Sequence, residues 1–129
     1  MTSEKAKVLL VDDEPDVVQM VGRRLKAAGY QVKVAYDGQQ ALDEVRAETP
    51  DIVVLDIMLP KIDGYKVCRL LKFDERYKQI PVLVFTARSN AEDLKLAADC
   101  GADACLNKPF EPHILLGMLE KLLGTKKEP

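Results

Sequence analysis

The chain has 129 residues, of which 47% are hydrophobic and 31% charged, with a formal net charge of -2. These values are typical of one soluble globular domain, and the absence of a basic stripe argues against a nucleic-acid-binding surface. No apolar run approaches the roughly 18 residues of a membrane-spanning helix. The N-terminus lacks the long apolar segment of a secretory signal, so we expect a cytoplasmic protein without membrane insertion.

Short apolar segments alternate with segments of helical periodicity along the whole chain. The predicted strands are 7–11, 31–35, 51–56, 80–87 and 102–107. The predicted helices are 15–29, 38–48, 65–76, 90–101 and 111–124. Pro15 suits a first helical position and Gly29 suits a C-terminal cap. Continuous apolar strands alternating with amphipathic helices predict one α/β domain, with a parallel sheet covered on both faces.

The cysteines and the histidine restrict the possible chemistry. Cys68, Cys100 and Cys105 are an odd number of thiols with no CxxC pair, which argues against a disulfide framework or a zinc site. His113 is the sole histidine, so a histidine dyad or multi-histidine metal site is excluded. We expect three reduced thiols in or near the core.

Chemically active side chains collect where the predicted strands end. Asp12 and Asp13 follow the first strand, and Asp56 ends the third. Thr86 follows VLVF at the end of the fourth, with Ala87 next, and Lys108 follows the fifth. In open α/β sheets ligands bind outside the carboxyl ends of the strands. Carboxylates, a hydroxyl and an ammonium, with Mg²⁺ on the carboxylates, are the groups needed to hold a phosphoryl group. A carboxylate can also be the nucleophile and form an aspartyl phosphate.

Each of these residues also has a simpler interpretation. The acidic pair can be a solvated helix entry, Asp56 and Thr86 can cap turns, and Lys108 can be a surface charge. Their joint occurrence at four strand ends favours the phosphoryl site. The sequence has neither a GxxxxGK[ST] loop nor a GxGxxG motif after the first strand.

Four segments together resemble the CheY-like receiver domain of two-component response regulators. They are VLLVDDEPD, DIVVLDIMLPKIDG, IPVLVFTA and GADACLNKPF. The resemblance covers about residues 6 to 124 and predicts a receiver domain at 1–124 with a polar, frayed tail at 125–129. It implies a doubly wound, flavodoxin-like (βα)5 fold with strand order 2-1-3-4-5.

The resemblance assigns roles to the acidic residues. Asp56 matches the phosphoacceptor, which also binds Mg²⁺. Asp13 matches the direct metal ligand, and Asp12 the acid that acts mainly through metal-bound water. The backbone carbonyl of Met58 is expected to complete the metal shell.

The resemblance also assigns the groups that bind the phosphate. Thr86 matches the switch hydroxyl, with Ala87 beside it, and Lys108 matches the lysine that pairs with the acceptor and then with the phosphate. The Lys108–Pro109 peptide bond is expected to be cis. Cys105 occupies the position where family members usually carry a mobile aromatic ring, so we expect a switch that does not use that ring.

The implied function is phosphotransfer signalling without enzymatic turnover. A histidine kinase or a phosphotransfer protein would dock near the first helix and phosphorylate Asp56. We expect that docking surface to include Val17, Met20, Val21 and Arg24. Phosphorylation would then change the face of the fourth helix, fifth strand and fifth helix, which a downstream protein would read.

Ala104 and Met118 replace the acid and the base through which many DNA-binding regulators pair. We therefore expect a monomer when the chain is unphosphorylated, and no direct contact with nucleic acid. The chain can be a stand-alone regulator or a receiver cut from a longer protein.

Three other functions stay open at this stage. An aspartyl phosphatase would usually carry a second acid two residues past the nucleophile, where this chain has Met58. A receiver-like module without phosphorylation would fail to bind Mg²⁺. A redox role for Cys105 would need a second thiol such as Cys100 close in space.

Overall fold

The structure is a computed structural model that describes residues 6–57, 59, 62–86, 95, 98–107 and 111–127. Its five strands form one parallel sheet in the order β2-β1-β3-β4-β5. The strands are β1 Lys7–Val11, β2 Gln31–Ala35, β3 Ile52–Asp56, β4 Val82–Thr86 and β5 Ala104–Asn107. The helices bounded within the described residues are α1 Pro15–Ala27, α2 Gly38–Ala47, α3 Gly64–Lys72 and α4 Pro112–Lys127. Residues 95, 98 and 99 are also helical, inside the predicted helix 90–101.

The predicted fold class and strand order are confirmed. The packing of the core explains why the central strands are continuous apolar runs in the sequence. Alternate residues of β1 and β3 point to opposite faces of the sheet. One face packs against α2 and α3 through Leu9, Val53 and their neighbours. The other packs against α1 and α4 through Leu10, Val54 and their neighbours. Both central strands are therefore buried on both sides.

The helix boundaries follow local sequence signals. Pro15 is the first residue of α1, and Gly29 just beyond its end has a φ of 100°, which a glycine adopts without strain. The Asp37 side chain accepts a hydrogen bond from the Gln40 N–H at 2.8 Å and caps α2. Asp63 caps α3 in the same way, at 3.0 Å from the Lys66 nitrogen.

Two helix ends differ from the prediction. Helix α3 ends at Lys72, whereas the sequence pattern predicted residue 76. The Asp74 carboxylate accepts from the Arg76 N–H at 2.8 Å, a local turn that competes with helix continuation. The last helix runs through Lys127, three residues into the predicted tail. The chain has no proline between Pro112 and Pro129. Every residue in between therefore has the backbone N–H that a continuing helix needs.

An ion pair between Lys72 and Asp103, which the sequence pattern did not predict, connects three elements. Asp103 accepts hydrogen bonds from the Val82 N–H at 2.7 Å and from Lys72 Nζ at 2.9 Å. Lys72 Nζ also donates to the Ile80 carbonyl at 2.9 Å. The Lys72 side chain is 13% exposed. These bonds join the end of α3 to the starts of β4 and β5.

Replacing Asp103 with alanine should lower the free energy of unfolding by about 1–3 kcal/mol, because the Val82 N–H and the Lys72 ammonium both lose their acceptor. Urea unfolding followed by circular dichroism measures this change. Glu75→Ala is the matched control, since Glu75 forms a surface pair with Lys78 and its side chain is 87% exposed. The control should change stability by no more than about 0.5 kcal/mol. Equal effects of the two substitutions would contradict the role given to Asp103.

Candidate metal-binding site

Three carboxylates meet at the carboxyl ends of the two central strands. Strands β1 and β3 are parallel neighbours with Val11 opposite Leu55, so their ends lie side by side. One carboxylate oxygen from each of Asp12, Asp13 and Asp56 lies within 4.8 Å of the others. Asp12 is fully buried, Asp56 is 3% exposed and Asp13 faces solvent. The acidic residues predicted to act together are therefore brought together.

Backbone hydrogen bonds hold these carboxylates in place. The Asp12 N–H donates to the Ala35 carbonyl at 3.1 Å, which extends the β1–β2 pairing to the rim. The Asp12 carboxylate in turn accepts from the Glu14 N–H at 2.9 Å, at the entry to α1. The Ile57 N–H donates to the Phe85 carbonyl at 3.2 Å, just beyond Asp56. The sheet therefore determines the separation of the acids.

The charge of this cluster indicates which ligand it can hold. Two unit charges about 4 Å apart, at an effective dielectric of about 20, repel by roughly 4 kcal/mol. A divalent cation removes that repulsion. Carboxylate oxygens are the ligands preferred by hard cations such as Mg²⁺ and Ca²⁺. The exposed Asp13 leaves the cluster accessible from solvent, so the donor set fits a metal ion that also contacts water or a phosphate.

The loop after β3 returns closely onto the end of that strand, and Gly64 permits this. The Ile57 carbonyl accepts from the Leu59 N–H at 3.1 Å and from the Gly64 N–H at 2.9 Å. A Cβ atom on Gly64 would overlap the Asp56 carbonyl oxygen and lie 2.6 Å from the Ile57 Cα. Sequence reasoning missed this role. The available signal was a glycine directly before the predicted helix 65–76, at the end of the loop that follows the third strand.

A second glycine supports the same loop. A Cβ atom on Gly38 would overlap the Ile62 carbonyl oxygen and lie 2.7 Å from the Ile62 Cβ. The start of α2 therefore packs directly beneath the segment that joins β3 to α3. A side chain at residue 38 would therefore displace Ile62.

The remaining predicted site residues are only partly described. Thr86 is the last residue of β4 and pairs with Asn107 of β5, which places its backbone at the same rim as the carboxylates. Met58, Ala87, Lys108 and Pro109 lie outside the described residues. The metal-ligand, phosphate-binding and cis-peptide roles expected for them stay predictions.

Cys105 lies inside β5, opposite Val84, and is partly buried. It packs against the core on the α2 and α3 side, which also contains Cys68 and Cys100. All three are free cysteines, and the Cys68 thiol donates to the Cys100 carbonyl at 3.4 Å. Burial, and then the charge of Cys100, raise the pKa of the Cys105 thiol. A raised pKa leaves less of the reactive thiolate and argues against a nucleophilic role.

Alkylation of Cys105 by iodoacetamide should therefore be slow in the native chain and faster in urea. Its rate should keep rising with pH above the ordinary pKa of a cysteine, because the thiolate forms only there. Peptide mass spectrometry across a pH series measures the rate, with Cys105→Ser as the control. A rate that levels off at or below the ordinary cysteine pKa would contradict this expectation.

A comparison with known families identifies the chain. The sequence model of the response regulator receiver domain matches residues 8–120. The chain belongs to the response regulator receiver domain family. This match confirms the predicted family. Receiver domains are the phosphoacceptor domains of two-component systems.

Individual relatives agree with this assignment. The alkaline phosphatase synthesis transcriptional regulatory protein PhoP of Bacillus subtilis is 38% identical over 117 residues, which are 91% of this chain and 48% of that protein. The receiver thus spans about half the length of the curated relatives it matches. Among solved structures, a putative response regulator from Chloroflexus aurantiacus has a TM-score of 0.90 at 33% identity, covering 94% of this chain and 99% of that one.

A second solved structure concerns the metal. The receiver domain of a sensor histidine kinase from Pseudomonas aeruginosa, with a magnesium ion coordinated in its active-site cleft, has a TM-score of 0.86 at 28% identity. The match covers 92% of this receiver and 98% of that chain.

Within the described residues, no helix of this receiver is both long and apolar enough to cross a membrane.

The surface predicted on α1 needs one correction. Val21 is 3% exposed and belongs to the core against α4, so it is not available to a docking partner. Met20 is 54% exposed and Arg24 is exposed, as the docking prediction requires. Val21 shares the apolar stripe of α1 that covers the sheet, which is why it turns inward.

Proposed function

We propose that this receiver accepts a phosphoryl group on Asp56, with Mg²⁺ held by Asp12, Asp13 and Asp56. The observation that carries this proposal is the cluster of three carboxylates within 4.8 Å at the ends of β1 and β3. Asp56 is the member on the central strand β3, where the close return of Gly64 constrains the backbone beside it. The magnesium ion in the Pseudomonas aeruginosa receiver supports the choice of metal.

The chemistry follows from the donor set. An Asp56 carboxylate oxygen attacks the phosphorus, the bond from phosphorus to the donor atom breaks, and that donor atom keeps the electron pair. Mg²⁺, when bound, would supply positive charge that neutralises the negative charge on the oxygens of the transferring phosphoryl group. Thr86 and Ala87 are proposed to bind those oxygens, Lys108 to pair with them, and Met58 to supply a carbonyl ligand. The product carries about two negative charges at neutral pH.

A histidine kinase or phosphotransfer protein is the proposed donor, docking on α1. A groove of about 500 Å³ on this helix is lined by Met20, Arg23, Arg24 and neighbours. Helix α1 begins at Pro15, two residues after Asp13, so a partner on α1 approaches the acidic rim. The downstream partner is proposed to contact β5 and α4 together with the helix that the sequence predicts at 90–101. Ala104 of β5 and Met118 of α4 pack partly buried against the core.

The proposed function is tested by incubating the chain with an acyl phosphate and Mg²⁺. Intact-mass spectrometry should show one added phosphoryl group that hydroxylamine removes, as expected for an acyl phosphate linkage. Omitting Mg²⁺ should prevent the addition, because the cluster then keeps its uncompensated negative charge. Metal-independent labelling at the same rate would contradict the proposal.

Asp13→Asn should weaken Mg²⁺ binding by about tenfold or more, since a charged ligand becomes neutral; that factor is about 1.4 kcal/mol. Isothermal titration calorimetry measures the affinity. Asp16→Asn is the matched control, because Asp16 is exposed in the first turn of α1 and outside the cluster. Equal weakening by both substitutions would show that net charge, and not ligation, governs the affinity.

A further inference from the structure

Helix α3 presents an apolar strip to solvent on its outward face. Phe73 is 72% exposed, the highest value among the large exposed hydrophobic side chains described, and Leu70 is 45% exposed. Together with Tyr65, Lys66 and Arg69 they line a groove of about 710 Å³, called the α3 groove below. Covering exposed apolar side chains removes their surface from water, so this strip favours a partner.

The charges in the α3 groove indicate what kind of partner fits. Each of its two acids accepts a local hydrogen bond. Asp63 accepts from the Lys66 backbone N–H, and the Asp74 carboxylate accepts from Arg76 Nε at 3.1 Å and from an Arg76 terminal nitrogen at 2.9 Å. Lys66 and Arg69 are exposed and form no ion pair within the part of the chain that the structure describes. Asp74 is therefore paired with a cation, whereas Asp63 accepts only a backbone N–H and keeps its negative charge. Among the described residues, the groove thus offers two unpaired cations and one unpaired carboxylate, so its net charge is positive.

The spacing of these residues indicates the shape of the partner. Lys66, Arg69, Leu70 and Phe73 stand at positions i, i+3, i+4 and i+7. They form one stripe along α3, which ends at the C-terminal cap residue Phe73. A second helix lying along this stripe can place apolar side chains over Leu70 and Phe73. Acidic side chains on its flank then reach Lys66 and Arg69. Charge complementarity of this kind selects partners and raises the association rate.

We propose that the α3 groove binds an acidic amphipathic helix of a partner protein. The groove does not include Asp12, Asp13 or Asp56. Binding should therefore be retained by an Asp56→Asn chain, and the proposal stands or falls separately from phosphorylation. A polyanion such as nucleic acid would use the cations but not the apolar strip.

The test is a titration of the ¹⁵N-labelled full chain with two synthetic helical peptides. Both carry the same leucine and phenylalanine face, and the flanking positions are glutamate in one peptide and lysine in the other. The glutamate peptide should shift amide resonances within residues 63–74 and bind at least about tenfold more tightly than the lysine peptide. Arg69→Glu and Phe73→Ser should each weaken its binding by about tenfold. Tyr36→Ser changes an exposed apolar residue just beyond β2; it is the control and should leave binding unchanged.

Several outcomes would overturn the proposal. They are absence of shifts along α3 with the glutamate peptide, equal binding of the two peptides, or equal loss in the Tyr36→Ser control. Concentration-dependent shifts of α3 amides without any peptide would assign the groove to a second copy of the chain. Tighter binding of a single-stranded oligonucleotide, insensitive to Phe73→Ser, would assign it to nucleic acid.

Discussion

Asp56→Asn should reduce phosphorylation of the receiver by an acyl phosphate at least about a hundredfold, or about 2.7 kcal/mol in the barrier. The amide is neutral and a poor nucleophile, and it offers no second ionised oxygen to the metal. Asparagine has nearly the same shape, so the end of β3 keeps its pairing with β4. The measurement is the fraction of chain carrying a hydroxylamine-sensitive phosphoryl group, followed over time by intact-mass spectrometry.

The same substitution should not unfold the chain. It removes one of three charges held within 4.8 Å, so without Mg²⁺ the free energy of unfolding should stay the same or rise. Asp43→Asn is the control, since that side chain is 62% exposed on α2 and far in sequence from the acidic rim. Phosphorylation of Asp56→Asn at the wild-type rate would place the acceptor on another residue. A folded Asp56→Asn chain without labelling separates loss of chemistry from loss of structure.

Gly64→Ala should lower the free energy of unfolding by about 1–3 kcal/mol and also slow phosphorylation. The added methyl group meets the Asp56 carbonyl and the Ile57 backbone, which are main-chain atoms and cannot rotate away. The loop after β3 must therefore shift, and Asp56 shifts with it. Urea unfolding and acyl phosphate labelling measure the two effects.

Gly117→Ala is the matched control for that experiment. A Cβ atom on Gly117 would meet no heavy atom within 4 Å, and the residue lies inside α4. Alanine should therefore stabilise the chain by about 0.5–1 kcal/mol through its higher helix propensity. If both glycine substitutions have the same sign, helix propensity and not the close approach to Asp56 accounts for Gly64.

The α/β class and the acidic site were accessible from the sequence for the same reason. Buried parallel strands leave continuous apolar runs, and the carboxyl ends of neighbouring parallel strands meet at one rim. Asp12, Asp13 and Asp56 could therefore be placed together before any coordinates. The strand order 2-1-3-4-5 needed the family resemblance as well, because local patterns do not say which strands are neighbours.

Features that depend on contacts between distant segments were not accessible. The Lys72–Asp103 pair joins residues 31 positions apart, and neither residue type is unusual where it stands. The inward turn of Val21 depends on α4 packing beside α1. Local patterns also failed at the end of α3, where the Asp74 side chain forms a turn with its own backbone neighbours.

Local physical chemistry was therefore sufficient for the identity of the elements and for the residues at the strand ends, because periodicity and strand direction are properties of single segments. Tertiary structure alone decided how closely Gly64 approaches Asp56, which charges in the α3 groove are free, and which side of the sheet Cys105 faces. These are properties of pairs of segments, and their energies depend on distances that only the packed chain defines.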